Sequence, residues 1–353
     1  MGFHVKGDQL VSAVPAEGSH ELTIPKGICT IRPGAFDECP DLEVLHLPIT
    51  MSISARPVLA ACRRLRWVDI PPGHLYYLTA RGCLYFKQNH QLVFVPPGME
   101  SLEILPGTSL ILDRAAATCS LLRSLTLPEG CLSVGLYAFS ACTGLTELHL
   151  PDTLRNINNG AFSGCTSLRT IRLPSHIQTI GADAFAECGA LDVSVPMSCV
   201  SIGRNAFDAG TTLHFACPEG CFTCTITGSW DLDGEGRPLL SFLHASDLAE
   251  RMQYFDGFYR DPIAQKLGFF LGRHGDSGWY DALLQEKADE LARIAAGAGD
   301  PGFFCDVIAH GGISADVTEQ LLNDTLNRPE FYMPLLRYKQ EQGQYHAEDS
   351  LRL

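Results

Sequence analysis

The feature that most limits what this chain can become is a strict internal period. The Phe of an Ala-Phe pair falls at Phe139, Phe162, Phe185 and Phe207, in steps of 23, 23 and 22. A cysteine column follows at Cys119, Cys142, Cys165 and Cys188, each 23 apart. A proline closes a Leu-x-Leu-type run at Pro128, Pro151, Pro174 and Pro196. The same frame returns earlier as Phe36, Cys39, Pro48, Cys62 and Pro71. The step from Cys62 to Cys119 is 57, two repeats and 11 more, so the repeat is interrupted rather than lost. The interruption is "LYYLTARGCLYFKQNHQLVFVPPG", about residues 75–98, and it reads as a hairpin of two strands around Gln88-Asn89-His90.

A leucine-patterned repeat of this length is one coil of a solenoid. Alternation then assigns the side chains. Leu145, Leu148 and Leu150 point into the coil, whereas Glu147 and His149 point out. The closing proline lacks an N–H and suits a strand end. Leu154 and Ile157 mark a second short extended segment, and Gly160-Ala161-Phe162 turns the chain and drops a ring into the core. One coil cannot bury both its faces, but stacked coils can. Eight or so of them, about 4.8 Å apart, make a rod of roughly 40 Å.

The pattern "GAFSGCTSLRTIRLPSHIQTIGADAFAEC" resembles the BspA-like leucine-rich repeat, a bacterial class distinct from horseshoe repeats with an Asn ladder. The opening "FHVKGDQLVSAVPAEGSHELTIPKGICTIRPGAFDEC" is similar to that family's N-terminal cap, and "GCLYFKQNHQLVFVPPG" to a hairpin it often carries. The resemblance runs from Phe3 to Phe215 and implies a right-handed α/β-type solenoid of 22–23-residue coils. It departs at "LDRAAATC", where the usual Phe is missing and looser packing is expected. The expected division is a solenoid over 1–228, with an N-cap over 1–25, and a helical domain over 229–353.

After Phe215 the period stops. "ACPEGCFTCTITGSWDLDGEGRPLLSF" reads as a strand-and-turn exit. Beyond it "LAERMQYFDGFY", "ALLQEKADELARIAAGAG", "ADVTEQLLNDTLN" and "PEFYMPLLRYKQEQG" carry apolar residues at helical spacing. Ser314 is a candidate N-cap, Pro329 opens the last helix and Gly343 ends it. The last two helices resemble ankyrin-like helical hairpins. Helices with Met252, Phe255, Phe258 and Tyr259 are expected to cover the open apolar end of the solenoid, as unprotected ends invite association.

A net charge of −14 argues against nucleic acid, which needs a basic patch. No run of 18 apolar residues offers a membrane span. The start "MGFHVKGDQL" has no signal-like region. Six of the fourteen cysteines share one inward column, so they read as reduced structural thiols in a reducing compartment. A cytoplasmic monomer is expected; the alternative is the cell surface, reached with a signal peptide since removed.

Chemical motifs are sparse. His214, Cys217, Cys221 and Cys224 are four zinc-type ligands, but crowded and alternating in direction along an extended chain, so buried or edge thiols are the preferred reading. Asp231, Asp233, Glu235 and Gly236 fit the start of a calcium loop, yet Phe242 stands where its bidentate acid belongs. "GDSG" at 275–278 echoes a serine-protease motif without the scaffold, and His274 beside it reads as a surface residue. No cofactor and no catalytic residue are expected. The outward strand positions remain: His46, Trp67, Asp69, Glu147, His149, Arg172 and Asp192 are the candidate binding residues for a protein or peptide, with Trp67 of the hot-spot type. The leading function is a non-enzymatic interaction scaffold. The alternative is an exported adhesin for host protein or carbohydrate, and a third reading is an enzyme with its site expected in a groove between solenoid and helical region.

Overall fold

In a computed structural model the described residues are 2–52, 56–217, 220–226, 278–299, 301–310 and 312–342. The chain forms two compact units, residues 1–216 with 225–235, and residues 217–224 with 236–353. Each is described by itself.

The first unit is a β-solenoid of about nine turns. Each coil contributes a three-residue strand, whose middle residue is apolar and faces inward. Leu22, Leu45 and Val68, in register across three coils, are all 0% exposed. A second, two-residue strand follows the proline. These short strands run parallel from Leu110–Ile111 through Ser133–Val134, Asn156–Ile157 and Thr179–Ile180 to Ser201–Ile202. Two-residue strands suffice because every coil repeats the same hydrogen bonds to the next.

The Ala-Phe turn closes the third side. Phe139, Phe162, Phe185 and Phe207 stack face to face, with centroids 5.3–5.4 Å apart and planes within 6°. The backbone locks this row, since Phe139 N–H donates to Ala161 O and Phe162 N–H to Ala184 O, both at 2.8 Å. Left-handed backbone recurs in this turn, at Tyr137, Ala141, Asp183 and Glu187 as well as at Gly160 and Gly164. At Gly160 a side chain is also excluded, because a Cβ there would meet the Tyr137 ring at 2.2 Å. The cysteines sit beneath. Cys142, Cys165 and Cys188 each direct Sγ to a carbonyl of the preceding coil, those of Ala116, Phe139 and Phe162, at 3.2–3.4 Å. Cysteine suits this place as a small hydrophobe with a weak donor.

Several expectations change. Leu145 is buried as expected, but Leu148 and Leu150 are only half-buried. There the long-strand ladder breaks: no strand pairing joins Glu147–His149 to Thr170–Arg172 among the described residues. In "LDRAAATC", where no ring is supplied, Ala115 and Ala116 are each 1% exposed while Leu112 and Ala117 are half-buried. The insertion has three strands rather than two. Tyr77–Ala80 and Cys83–Phe86 pair antiparallel around Arg81-Gly82, and Cys83–Phe86 then pairs with Leu92–Phe94, which returns to the short-strand ladder at Ile111. The turn entering it is held by buried His74. Its Nδ1 accepts the N–H groups of Tyr76 and Tyr77 at 3.2 and 3.1 Å, and its Nε2 faces Met51 O at 3.1 Å. At the N-terminus Gly2–Lys6 and Gln9–Val14 form a hairpin, and the second strand pairs with Thr30–Ile31.

A four-residue helix, α1 (Arg56–Leu59), belongs to the first unit. The second unit contains α2 (Gly278–Ala298), α3 (Pro301–His310), α4 (Ala315–Asp324) and α5 (Pro329–Glu341). Ser314 caps α4 as expected, its Oγ accepting Val317 N–H, and Pro329 opens α5. Helix α3 was not expected. In "PGFFCDVIAH" Phe303, Phe304, Val307 and Ile308 are at most 5% exposed, but the exposed positions include Pro301, Gly302 and Ala309, so the buried stripe has little polar contrast for periodicity to detect. Phe304 meets Phe331 edge-to-face at 5.1 Å, and the Arg328 guanidinium lies over Phe331 while donating to Ala296 O at 2.7 Å. Lys339, 3% exposed, pairs with Glu319. The expected helix at 248–259, its Met252, Phe255, Phe258 and Tyr259, the Asp231–Glu235 loop, His274, the Asp-Ser of "GDSG" and Gly343 lie outside the described residues.

Phe162→Ala is expected to cost about 3–5 kcal/mol in denaturant unfolding, because a fully buried ring with stacked neighbours on both sides is removed. Phe207, stacked on one side by Phe185, should cost less on the same truncation. Thr108 makes the opposite test. It stands one period before Cys131 in an inward column, is 0% exposed, and its Oγ1 has no hydrogen-bond partner. Thr108→Val should leave stability unchanged or raise it by about 1 kcal/mol; a loss beyond about 1 kcal/mol would show that the hydroxyl is satisfied after all.

Candidate binding face

The outward residues of the long strands lie on three separate three-coil segments. The first contains Glu21–Thr23, Val44–His46 and Trp67–Asp69 in parallel register. One outward column is Glu21, Val44 and Trp67, and the other Thr23, His46 and Asp69. The second segment is built from Ser101–Glu103, Ser124–Thr126 and Glu147–His149. The third has Thr170–Arg172, Asp192–Val195 and the first residues of Thr212–Cys217. Of the seven residues expected to bind, His46, Trp67 and Asp69 therefore come together. Glu147 and His149 are on the second segment, Arg172 and Asp192 on the third.

The first segment has the most developed side-chain arrangement. His46 lies between two carboxylates, with Nε2 2.8 Å from Glu21 Oε1 and Nδ1 3.3 Å from Asp69 Oδ2. Trp67 is 44% exposed. The backbone of Gly82, in the inserted turn, lies against its ring: a Cβ on Gly82 would meet Trp67 Cε3 at 2.9 Å, and its φ is +77°. Arginines around this patch are engaged elsewhere. Arg64 pairs with Asp41 at 2.9 Å, Arg66 with Glu100 at 3.5 Å, and Arg81 with Glu103.

Glu21 was missed because its strand falls inside the stretch read as the N-cap. The signal was present: "LTIP" at 22–25 anticipates the pattern that ends at Pro48, one period later. Leu75 and Tyr76, 79% and 65% exposed, were missed too, since they belong to the insertion and have no counterpart column to compare with. A half-open groove of about 490 Å³ also lies along the early coils, lined by Pro33, Phe36, Pro40, Val58 and Ala61, with Asp37 and Arg63 at its edge. Cys39 and Cys62 also line it, near Asp37, and burial raises both thiols, which disfavours the thiolate a nucleophile needs.

The zinc reading gains no support from His214, whose Nε2 lies 3.1 Å from Asp192 Oδ1. Cys221 is exposed, and the side chains of Cys217 and Cys224 are outside the described residues. Among the described residues no three His, Cys, Asp or Glu side chains gather as metal ligands. No helix there is long and apolar enough to cross a membrane.

With this geometry in hand, comparison decides the family. The sequence profile of the BspA type leucine-rich repeat region matches in six copies, over residues 17–102 and 87–214, more than half of the chain. The chain belongs to this family. Solved structures similar to it include a leucine-rich cell surface protein of Faecalibacterium prausnitzii, at 23% identity and TM-score 0.45, covering 64% of this chain and 63% of that one. The pneumococcal vaccine antigen PcpA is 21% identical with TM-score 0.40, covering 55% of this chain and 56% of that one. The Treponema pallidum leucine-rich repeat protein is 30% identical with TM-score 0.31, covering 40% of this chain and 67% of that one. The first two are thus matched over less than two thirds of their own length. No curated protein matches the chain.

In this BspA-type solenoid several buried thiols are held in the neutral form. Burial pushes Cys62 and Cys83 up to about 12 and Cys131 to about 11; at Cys62 the nearby Cys39 and Asp37 add to it. A raised pKa in the fold favours the neutral thiol, while unfolded thiols ionise near pH 8.5. Their contribution is thus fully present below about pH 8.5 and is lost as pH rises toward 12. Stability measured by urea unfolding should therefore fall between pH 9 and 11, and Cys83→Val should flatten that fall. If the slope is unchanged in the variant, Cys83 is not a source of it. At pH 8, exposed Cys221 should react with a thiol reagent well before the buried column does.

Proposed function

We propose that this chain is a non-enzymatic protein-binding scaffold that presents its outward strand face to a protein or peptide partner. One observation carries the reading. Inward positions repeat from coil to coil, whereas the outward positions in the same register differ: Glu21, Val44 and Trp67 share one column, Thr23, His46 and Asp69 the next. Packing demands sameness inside and imposes none outside. A rigid face with distinct residues at fixed spacing is what recognition of an extended partner uses. Buried free thiols fit a reducing compartment and hence a cytoplasmic location.

Replacing Trp67, Glu147 and Arg172 together by serine tests this. All three are exposed, so stability should change by no more than about 1 kcal/mol. Partners cross-linked to the wild-type protein in its native cells should be lost. An unchanged cross-linking pattern would remove the outward face from consideration. The second reading, an exported adhesin, is favoured by the exposed rings of Trp67 and Tyr76, since aromatic anchors are typical of binding surfaces. Protease treatment of intact cells separates the two: only a surface protein is degraded.

A further inference from the structure

We infer that the outward face of the first segment is a docking site for a basic peptide segment of a partner protein, with Trp67 receiving an arginine side chain and Glu21 and Asp69 supplying the countercharge. The inference rests on the scaffold reading and names both the part of the face that binds and the chemistry of what binds there.

The ring comes first. Trp67 is 44% exposed in a sheet whose inward residues are closed to solvent, and an indole face is the strongest of the aromatic partners for a cation. On one side the ring packs close to the inserted turn: a Cβ on Gly82 would meet its Cε3 and Cδ2 at 2.9 and 3.2 Å, so only a glycine there leaves the ring its place. A ring fixed in this way gives up little side-chain freedom when a ligand lands on it. The countercharge lies beside it. Asp69 is two residues along the same strand, on the same face, roughly 7 Å away along the strand. Glu21 shares the ring's own column, two coils back.

The charge balance selects the partner. The three strands of the segment carry one basic side chain, His46, which faces both Glu21 and Asp69. Two carboxylates against one imidazole leave a net negative charge whichever protonation state His46 adopts. The surrounding arginines do not cancel it, because Arg64, Arg66 and Arg81 are paired with Asp41, Glu100 and Glu103. Glu21 and Asp69 keep 61% and 46% side-chain exposure, so their free oxygens remain accessible to a second cation. A guanidinium is planar and weakly hydrated. It can lie over the indole and direct N–H groups at a neighbouring carboxylate, which an ammonium does less well. The other segments lack this combination: the second carries the carboxylates Glu103 and Glu147 but no outward Trp, Tyr or Phe ring, and the third has no such outward ring either and pairs Asp192 with His214.

The test uses the full chain and three blocked peptides of equal length, alternating glycine with arginine, glutamine or glutamate, titrated by calorimetry at low salt. The arginine peptide should bind and the other two should not. Trp67→Leu, Glu21→Gln and Asp69→Asn should each weaken it about three- to fivefold, as expected for an exposed cation–π contact or surface ion pair. Glu129→Gln removes the same unit of charge from an exposed turn away from the segment and should leave the affinity unchanged. Melting curves accompany each variant; if Trp67→Leu melts early, the two isosteric carboxylate variants decide. Equal weakening by Glu129→Gln would mean general attraction to an acidic protein and would overturn the inference. So would equal binding of the glutamine peptide, or no binding of the arginine peptide. The scaffold reading would survive those results, since it fails only if cross-linked partners persist in the triple serine variant.

Discussion

Everything in the first unit depends on contact between one coil and the next. A single coil has two strands too short to stand alone and a ring with solvent on both faces. Stacking removes each defect at once. Phe162 meets Phe139 and Phe185 at the same 5.4 Å, its N–H reaches Ala184, and the Cys165 thiol reaches back to the Phe139 carbonyl. Rings, backbone and thiols thus share one spacing, so a residue that disturbs one contact disturbs the others. This coupling explains why cysteine recurs in a place where a larger side chain would part the coils and a hydroxyl would bury a stronger polar group.

That same dependence leaves the outer surface free. Outward strand residues touch only their immediate neighbours, and the fold is indifferent to most of them. Where structure does act on the surface, it acts through irregularities. The insertion brings Gly82 against Trp67 and sets Arg81 against Glu103, turning one position of a plain strand column into a supported aromatic with its charged surroundings arranged. His74, at an inward position one period after Met51, holds the turn into that insertion by accepting two backbone N–H groups. The break between Glu147–His149 and Thr170–Arg172 divides the rest of the face, so residues that look equivalent along the chain occupy separate sheets.

The helical unit obeys different packing rules. Its core is assembled from unlike contacts, such as Phe304 edge-on to Phe331 and Arg328 over the same ring, with no column that repeats. The ends of its helices were visible where a local rule fixes them, as at Ser314 and Pro329. Helix α3 was not visible, because its exposed positions include Pro301, Gly302 and Ala309, which give its buried stripe little polar contrast.

The sequence by itself determined the coil: its length, its inward columns, its Phe turn and its family. It could do so because each inward residue meets the same neighbour one period away, and an environment that recurs at fixed spacing leaves a mark that recurs at fixed spacing. Only the tertiary structure decided the third strand of the insertion, the pairing of Glu21 with His46, the seat of Trp67 on Gly82 and the half-burial of Leu148 and Leu150. These contacts join residues whose partners differ from coil to coil or come from the insertion. Nothing along the chain repeats to announce them, and they exist only once the coils are stacked.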